Sequence, residues 1–355
     1  MSKQIAVIYN EPKHTLAEDH WLHHSQESVH ENPTAFRDAS EFGVLEQMQS
    51  IAAALRASGH EVTIFSADDD VFRLVQFLEK ERPAAIFNCC ESIMGKSSLE
   101  MNIAALYELF GIPYTGSPAL TLAMALDKGL AKSIFIAHGI RTPRHVVFTE
   151  PEYAYVAGSL TFPLIVKPIR EDASIGIDVN SIVHTEEALR ARVEFVWHEF
   201  EQPALAEEYI EGRELNIAVI GAASGAIETL PISEISFDEI PEGSPRIVSY
   251  EAKWVEESEL YKKTMPRCPA VLEPEIESEA RAMALASAQA IGLRDYGRVD
   301  LRLRDDGALF VLEANPNPDI SEDAGFMRAA RESGRTYEST INEIVSLALA
   351  RSVHA

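Results

Sequence analysis

The stretch "GRVDLRLRDDGALFVLEANPNP", residues 297 to 318, constrains the fold of this chain more than any other. Arg298, Asp300, Arg302 and Arg304 alternate with Val299, Leu301 and Leu303, the period-two pattern of a half-buried strand. Asp306 and Gly307 predict a two-residue hairpin turn, because they tolerate the positive φ such turns need. That turn pairs Asp305 with Ala308, so Asp300 falls opposite Glu313 and Arg298 opposite Asn315. Residues opposed in this way lie about 4.5–5.5 Å apart at Cβ. The other face then carries Val299, Leu301 and Leu303 against Ala314, Leu312 and Phe310, all apolar. A slip of one residue would set Asp300 against Leu312 and spoil both faces. Two facing carboxylates repel unless a cation lies between them. Asp300, Glu313 and Asn315 form an all-oxygen set of the kind that suits Mg²⁺ or Mn²⁺. A merely solvated polar face is the plainer alternative, and the ending Glu-Ala-Asn-Pro-Asn-Pro argues against it.

The chain has 355 residues, 46% of them hydrophobic, enough for a sizeable core and two or three domains. A net charge of −25 argues against nucleic acid and anionic membrane surfaces as partners. It leaves nucleotides open, since these need only local cations and a metal. No apolar run approaches ~20 residues, so no membrane span is expected. "MSKQIAVIYN" reads as a first strand and not as a signal peptide. Cys89, Cys90 and Cys268 are odd in number and lack metal spacing, which suggests a reduced, cytoplasmic protein with small buried cysteines.

Residues 4–10 form a strand. Residues 11–41 are polar and hold His14, His20, His23, His24 and His30, read as a surface insertion because no clean ligand spacing appears. A helix from 43 to Gly59, a strand at 61–66, a helix at 70–81, a strand at 84–88 and a helix at 98–110 alternate as in a parallel sheet. The first 116 residues are therefore predicted to be a small doubly wound α/β domain. A single helix is predicted through 120–139, then strands at 145–148 and 162–169, the loop "REDASIGI", a helix at 185–200 and a strand at 204–210. A loop-rich segment, 238–265, a helix at 275–291, the hairpin and a helix at 336–350 complete a mostly antiparallel α+β region.

"FPLIVKP" delivers Lys167 at the end of a buried strand, and Lys128 follows a helical stretch upstream. Residues 171–177 can wrap phosphates with backbone N–H groups. "EEYIEGRE" ends a strand in a polar turn where backbone edges and a carboxylate can meet a nucleoside. Taken in order, "GIPYTGS", "LDKGLAK", "FPLIVKP", "SIGI", "EEYIEGREL", "LPISEI", "YEAKW", "YGRVDLRLRDDG" and "LEANPNP" resemble the ATP-grasp superfamily and, within it, the D-alanine–D-alanine ligases. The resemblance runs through nearly the whole chain after residue 84. It implies an N-terminal doubly wound α/β domain (1–116) followed by two lobes gripping ATP, a central one (117–210) and a C-terminal one with the metal site (211–355). It implies that Lys128 and Lys167 contact phosphates, that Glu207 faces the adenine amine beside the backbone of Tyr209 and Ile210, and that Glu214 binds the ribose. Lys253 would reach the terminal phosphate, with Ser174 close to it. Asp300, Glu313 and Asn315 would hold two Mg²⁺ ions, and Arg298 would steady the reacting carboxylate. The implied reaction takes a carboxylate to an acylphosphate, from which an amine displaces phosphate. Small amino-acid or carboxylic-acid substrates and a homodimer follow from the same likeness.

The amino-acid subsites depart from the family. Its Gly-Gly-x-Ser-x-Glu turn is replaced by "IYNEPKHT", with Glu11 or Glu46 as substitutes, and its His-Gly pair by Asn88-Cys89-Cys90-Glu91. Asp319 stands where the family has Gly, and Ala324-Gly325 near its Ser-Leu pair. Asp319 and Glu322 suit an amine, Arg328 and Arg331 a carboxylate; a solvated helix start accounts for them equally well. Three readings therefore stand: a ligase for other substrates, a D-alanine–D-alanine ligase with rebuilt subsites, and a catalytically dead nucleotide-binding module.

Overall fold

The computed structural model describes residues 2–10, 35–67, 70–150, 160–221, 227–241, 243 and 245–351, with side chains in the first helix from residue 43. The histidine-bearing segment 14–30 and Glu11 lie outside the described residues.

Strand β1 (Gln4–Tyr9), helix α1 (Ala35–Ala57), β2 (Glu61–Ser66), α2 (Val71–Glu81), β3 (Ala85–Cys89) and α3 (Glu100–Phe110) alternate along the chain. Their strands form a parallel sheet in the order β2-β1-β3. Ile5 and Val7 pack on Ile51 and Leu55 of α1, while Ala6 and Ile8 pack on Leu74 and Leu78 of α2 and on Ile103 and Tyr107 of α3. Burial on both faces explains why "IAVI" is unbroken by polar residues. Helix α1 begins at Ala35, earlier than the start near 43 expected from periodicity.

The helix expected through 120–139 is two helices, α4 (Ala119–Leu126) and α5 (Lys128–Ala137). Asp127 breaks it: its backbone is extended, and its carboxylate caps α5 by accepting from Leu130 N (3.0 Å). A short Asp side chain competes for backbone N–H groups in this way. The break sets Lys128 and Lys132 in the first turns of α5.

Next come β4 (His145–Phe148), β5 (Leu164–Pro168), β6 (Ile182–Val183), α6 (Glu186–Phe200) and β7 (Ala204–Glu208), an antiparallel sheet ordered β4-β7-β5-β6. Leu164, Val166, Ala204 and Ala206 pack on Leu189, Val193 and Val196 of α6. Alternation sends Ile165, Lys167 and Glu207 to the opposite face. β7 stops at Glu208, so Tyr209 and Ile210 follow the strand and do not belong to it.

The remaining elements are β8 (Arg213–Gly221), β9 (Ile227–Thr229), β10 (Ser233–Ser236), α7 (Tyr250–Trp254), α8 (Glu259–Lys263), β11 (Met265–Arg267), α9 (Pro274–Ile291), β12 (Asp295–Leu303), β13 (Leu309–Asn315), α10 (Gly325–Glu332) and α11 (Tyr337–Arg351). The segment expected to be loop-rich thus holds two short helices. The antiparallel sheet runs β11-β10-β8-β12-β13, with β9 on β8. Its apolar face, including Ile217, Val299 and Leu301, packs on the alanine-lined side of α9. Ile341, Ile344 and Val345 of α11 return to the α1 side of the first sheet. Full burial of each contributes about 1.5–3 kcal/mol, which ties the end of the chain to its beginning.

The hairpin keeps its expected register at one end and departs from it at the other. Asp300 pairs with Glu313 and Arg298 with Asn315, but Leu301 pairs with Val311 and Leu303 with Leu309. The loop has three residues, not two: Arg304 N donates to Ala308 O, and Gly307 adopts φ +85°. A β-bulge at Leu312 restores the register toward Glu313. Consequently Leu309 and Val311 occupy the core face, while Leu312 and Phe310, expected there, leave it.

Gly212, before β8, has φ +144°, and a Cβ there would lie 2.1 Å from Leu303 O. Gly212→Ala should cost at least about 2 kcal/mol, beyond ordinary backbone strain of ~1–3 kcal/mol, because one sheet backbone must move. Urea unfolding of the variant checks this.

Candidate functional site

The polar faces of the two antiparallel sheets enclose a cavity of about 500 Å³. Ile165, Lys167, Glu207, Tyr209 and Ile210 line it from one side, Glu214, Asn216, Arg298, Asp300, Leu312, Glu313 and Asn315 from the other, with Ser174 and Lys253 across its mouth. A second cavity of about 160 Å³ opens toward the first sheet, lined there by Asn10, Gln47, Glu91 and Glu100. The two share Asp172, Ala173, Lys253, Arg298, Glu313 and Asn315.

At that junction Arg298 grips Asp300 with two bonds, Nε to Oδ1 and Nη2 to Oδ2, both 2.8 Å. Asn216, facing Asp300 from β8, donates to Oδ1 at 2.7 Å. This fork is the strong, directional form of an ion pair, and it pushes the Arg298 guanidinium further up in pKa against the cost of burial. Burial raises the Glu313 carboxyl, but Lys128, Lys167, Arg298 and Lys253 overcome it and hold Glu313 ionised. Burial, then Arg298, lowers the Lys253 ammonium, which sits 5.0 Å from the Trp254 ring centre.

The donor chemistry fits a hard divalent cation. Glu313 is ionised, and Asp300 Oδ2 keeps a lone pair beside its bond from Arg298 Nη2, while Oδ1 is filled by Arg298 Nε and Asn216. Asn315 Oδ1 accepts from Asn317 N (2.9 Å) and retains one lone pair. Among the described residues no group of three or more His, Cys, Asp or Glu side chains is arranged to hold a metal ion, so two carboxylates and an amide are the available set.

Glu207 lies between two lysines, Lys132 at 2.6 Å from Oε2 and Lys167 at 2.6 Å from Oε1. Burial alone would raise its carboxyl; the two ammonium groups bring it down to about 2. Glu214 pairs with Arg302 (2.9 Å), and Tyr209 OH lies 3.2 Å from the Arg246 carbonyl. Lys128, expected at the phosphates, does not line the cavity. Its ammonium donates to the Glu171 carbonyl and lies 3.6 Å from Asp172, at the base of the loop. That loop is laced to the α7 segment: Ser174 Oγ donates to Val248 O (2.8 Å), Trp254 Nε1 to Ala173 O (2.9 Å) and Tyr250 N to Ile177 O (3.0 Å). Ala173 and Ser174 both adopt positive φ.

Asp319 lines the smaller cavity and accepts from Ser321 N and Oγ; Arg328 lines the larger. Glu322 and Arg331 are exposed and line neither, so the paired amine and carboxylate sites expected of them are not formed. Glu46 is also exposed; its neighbour Gln47 faces the cavity and accepts from Ile320 N (3.2 Å). Lys132, Asn216, Arg302 and Asn317 went unmarked in the sequence. Asn317 donates to Cys90 O (3.1 Å) and Glu100 Oε1 (3.0 Å) and accepts from Tyr296 OH (2.9 Å), joining the hairpin to the first sheet. Its place two residues after Asn315, in "NPNP", was the available signal.

Residues 134–346 match the family model for the D-ala D-ala ligase C-terminus. The chain is 34% identical over 259 residues to a D-alanine–D-alanine ligase of Cupriavidus necator, covering 72% of this chain and 74% of that protein. It is 33% identical over 304 residues to the uncharacterized protein y4sG of Sinorhizobium fredii, covering 84% of this chain and 86% of that one. The crystal structure of a D-alanine–D-alanine ligase from Bacillus anthracis complexed with ATP superposes with a TM-score of 0.72 at 20% identity, over 100% of this chain and 99% of that one.

Proposed function

The chain belongs to the D-alanine–D-alanine ligase family, and from that premise we propose an ATP-dependent, ADP-forming carboxylate–amine ligase whose amino-acid subsites differ from those of the D-alanine ligases. Its fold is the ATP-grasp fold. The observation that carries the proposal is the meeting of two cavities at Lys253, Arg298, Glu313 and Asn315. In the larger, Ile165, Ile210 and Leu312 offer apolar walls to a purine, Glu207 an acceptor to its amine and Glu214 an acceptor to the ribose. Lys167 and Lys253 meet the phosphates. Residues 1–116, the hairpin, the 171–175 loop, Leu122, Ala125 and Leu126 of α4, and Lys253 and Trp254 line the smaller cavity, where the acid and the amine bind; 117–210 and 211–355 close on the nucleotide.

Asp300, Glu313 and Asn315 would hold Mg²⁺, which when bound neutralises triphosphate charge. Arg298 faces both cavities and steadies the carboxylate as it approaches the γ-phosphate. Ser174 and the 171–177 loop exclude water, which would otherwise hydrolyse the acylphosphate. The amine then attacks the acyl carbon, forms the amide and releases phosphate. Asp319, Glu91 and Glu100 in the smaller cavity support substrates other than two D-alanines.

Phosphate release from ATP and Mg²⁺, screened over pairs of D- and L-amino acids and small acids with products read by mass spectrometry, tests this. Product from a pair other than two D-alanines supports the altered subsites; D-alanyl-D-alanine alone would reject them. In the same assay Trp254→Phe, which loses the bond to Ala173 O, should loosen the loop. The ratio of ADP to amide should rise about threefold to tenfold, the scale of one neutral hydrogen bond.

A further inference from the structure

The Lys132 ammonium has no opening to the cleft. It is 1% exposed. It donates to Thr142 Oγ1 (2.9 Å) and the Leu312 carbonyl (3.1 Å) and forms an ion pair with Glu207 Oε2 (2.6 Å). Buried among these three oxygens, the ammonium presents no face to a phosphate in the cleft. Lys167 differs: it lines the cavity, and Glu207 Oε1 is its one ion-pair partner among the described residues. Leu312, whose carbonyl Lys132 holds, is the bulged residue that sets the register of Glu313. Lys132 therefore acts through its neighbours.

We propose that Lys132 is a positioning residue of the nucleotide site, clamping Glu207 from behind so that it stays an acceptor-only carboxylate and selects a purine with a 6-amino group over one with a 6-oxo group. This rests on Glu207 facing the purine edge, as proposed above. A 6-amino group donates to a carboxylate; a 6-oxo group presents lone pairs to it and is repelled. A neutral carboxyl can donate to the 6-oxo group, and the distinction fades. Burial favours that neutral form, and Lys132 is the first of the two cations that oppose it. The other charged and titratable groups facing this site are Lys167 on β5, His145 opposite Glu207 on β4, Glu313 on β13 and Glu214 on β8.

The test needs no substrate: Kd for ATP and for inosine triphosphate, by calorimetry on the full chain. Wild type should prefer ATP by a ratio that stays flat from about pH 6 to pH 9, far above the carboxyl range. In Lys132→Met the ratio should fall about tenfold at the acid end and recover as rising pH ionises Glu207. Lys132→Arg should keep the wild-type ratio. A pH-independent, undiminished ratio in Lys132→Met would overturn the proposal. So would a pH dependence surviving in Lys132→Met/Glu207→Gln, which would belong to His145. Should Lys132→Met not fold, wild type still decides: ATP preference lost below about pH 6 would show Glu207 unclamped. Glu207→Gln separates the two levels. If it leaves the ratio unchanged, Glu207 does not face the base; if it relaxes the ratio while Lys132→Met does not, Lys132 alone is misassigned.

Discussion

Glu313→Gln should abolish turnover and leave ATP binding nearly intact. Glutamine matches the shape of the side chain but removes the one charge that Lys128, Lys167, Arg298 and Lys253 jointly face. The oxygen set that suits a divalent cation loses one of its two carboxylates. Metal neutralisation is worth several kcal/mol, and about 1.4 kcal/mol is a factor of ten, so kcat should fall by roughly 10³ or more. Binding follows a different balance. A neutral amide no longer repels the triphosphate, and the four cations remain, so Kd for ATP should shift less than about threefold, under ~0.7 kcal/mol. Calorimetry and steady-state rates on the same preparation separate the two. Turnover within tenfold of wild type would remove Glu313 from the metal set.

Arg298→Lys should damage both stability and catalysis. The guanidinium makes two parallel bonds to Asp300, which is 5% exposed. An ammonium cannot reproduce that fork. Asp300 would keep the Asn216 bond and lose its matched cation, a loss of about 3–5 kcal/mol when a buried pair is broken outright and less with a residual charge nearby. An unfolding midpoint lowered by an equivalent of about 2–3 kcal/mol is expected on that basis. Because Arg298 lines both cavities, kcat should also fall by about 10²–10³, the range for losing one preorganised charge-stabilising donor. A variant with an unchanged urea midpoint would mean the fork carries little of the fold. Unchanged kcat would mean that Arg298 holds Asp300 and does nothing for the substrate.

The hairpin shows how far the sequence could be read. Its functional end, Asp300 opposite Glu313 and Arg298 opposite Asn315, was legible because alternation binds register to face. Two errors cancelled to make it so. The loop is one residue longer than a two-residue turn, and the bulge at Leu312 takes the extra residue back. Nothing local announces that bulge; the Leu312 carbonyl answers Lys132, 180 positions away. For the same reason nothing local distinguishes Lys132 from Lys128. Four residues apart on one helix, they diverge in role because β13 and β7 cover one and the 171–177 loop covers the other. The parallel first sheet was plain from its apolar strands and capped helices. The break at Asp127 was not, since "LTLAMALDKGLAKSIFIA" keeps helical periodicity through it.

The most direct measurement follows oxygen. With ATP, Mg²⁺ and candidate acids labelled with ¹⁸O in the carboxylate, formation and aminolysis of an acylphosphate carries one labelled oxygen into the phosphate released. Labelled phosphate, equal in amount to ADP and to amide, is the expected result. Unlabelled phosphate with ADP would mean plain hydrolysis of ATP and would contradict a ligase that works through an acylphosphate.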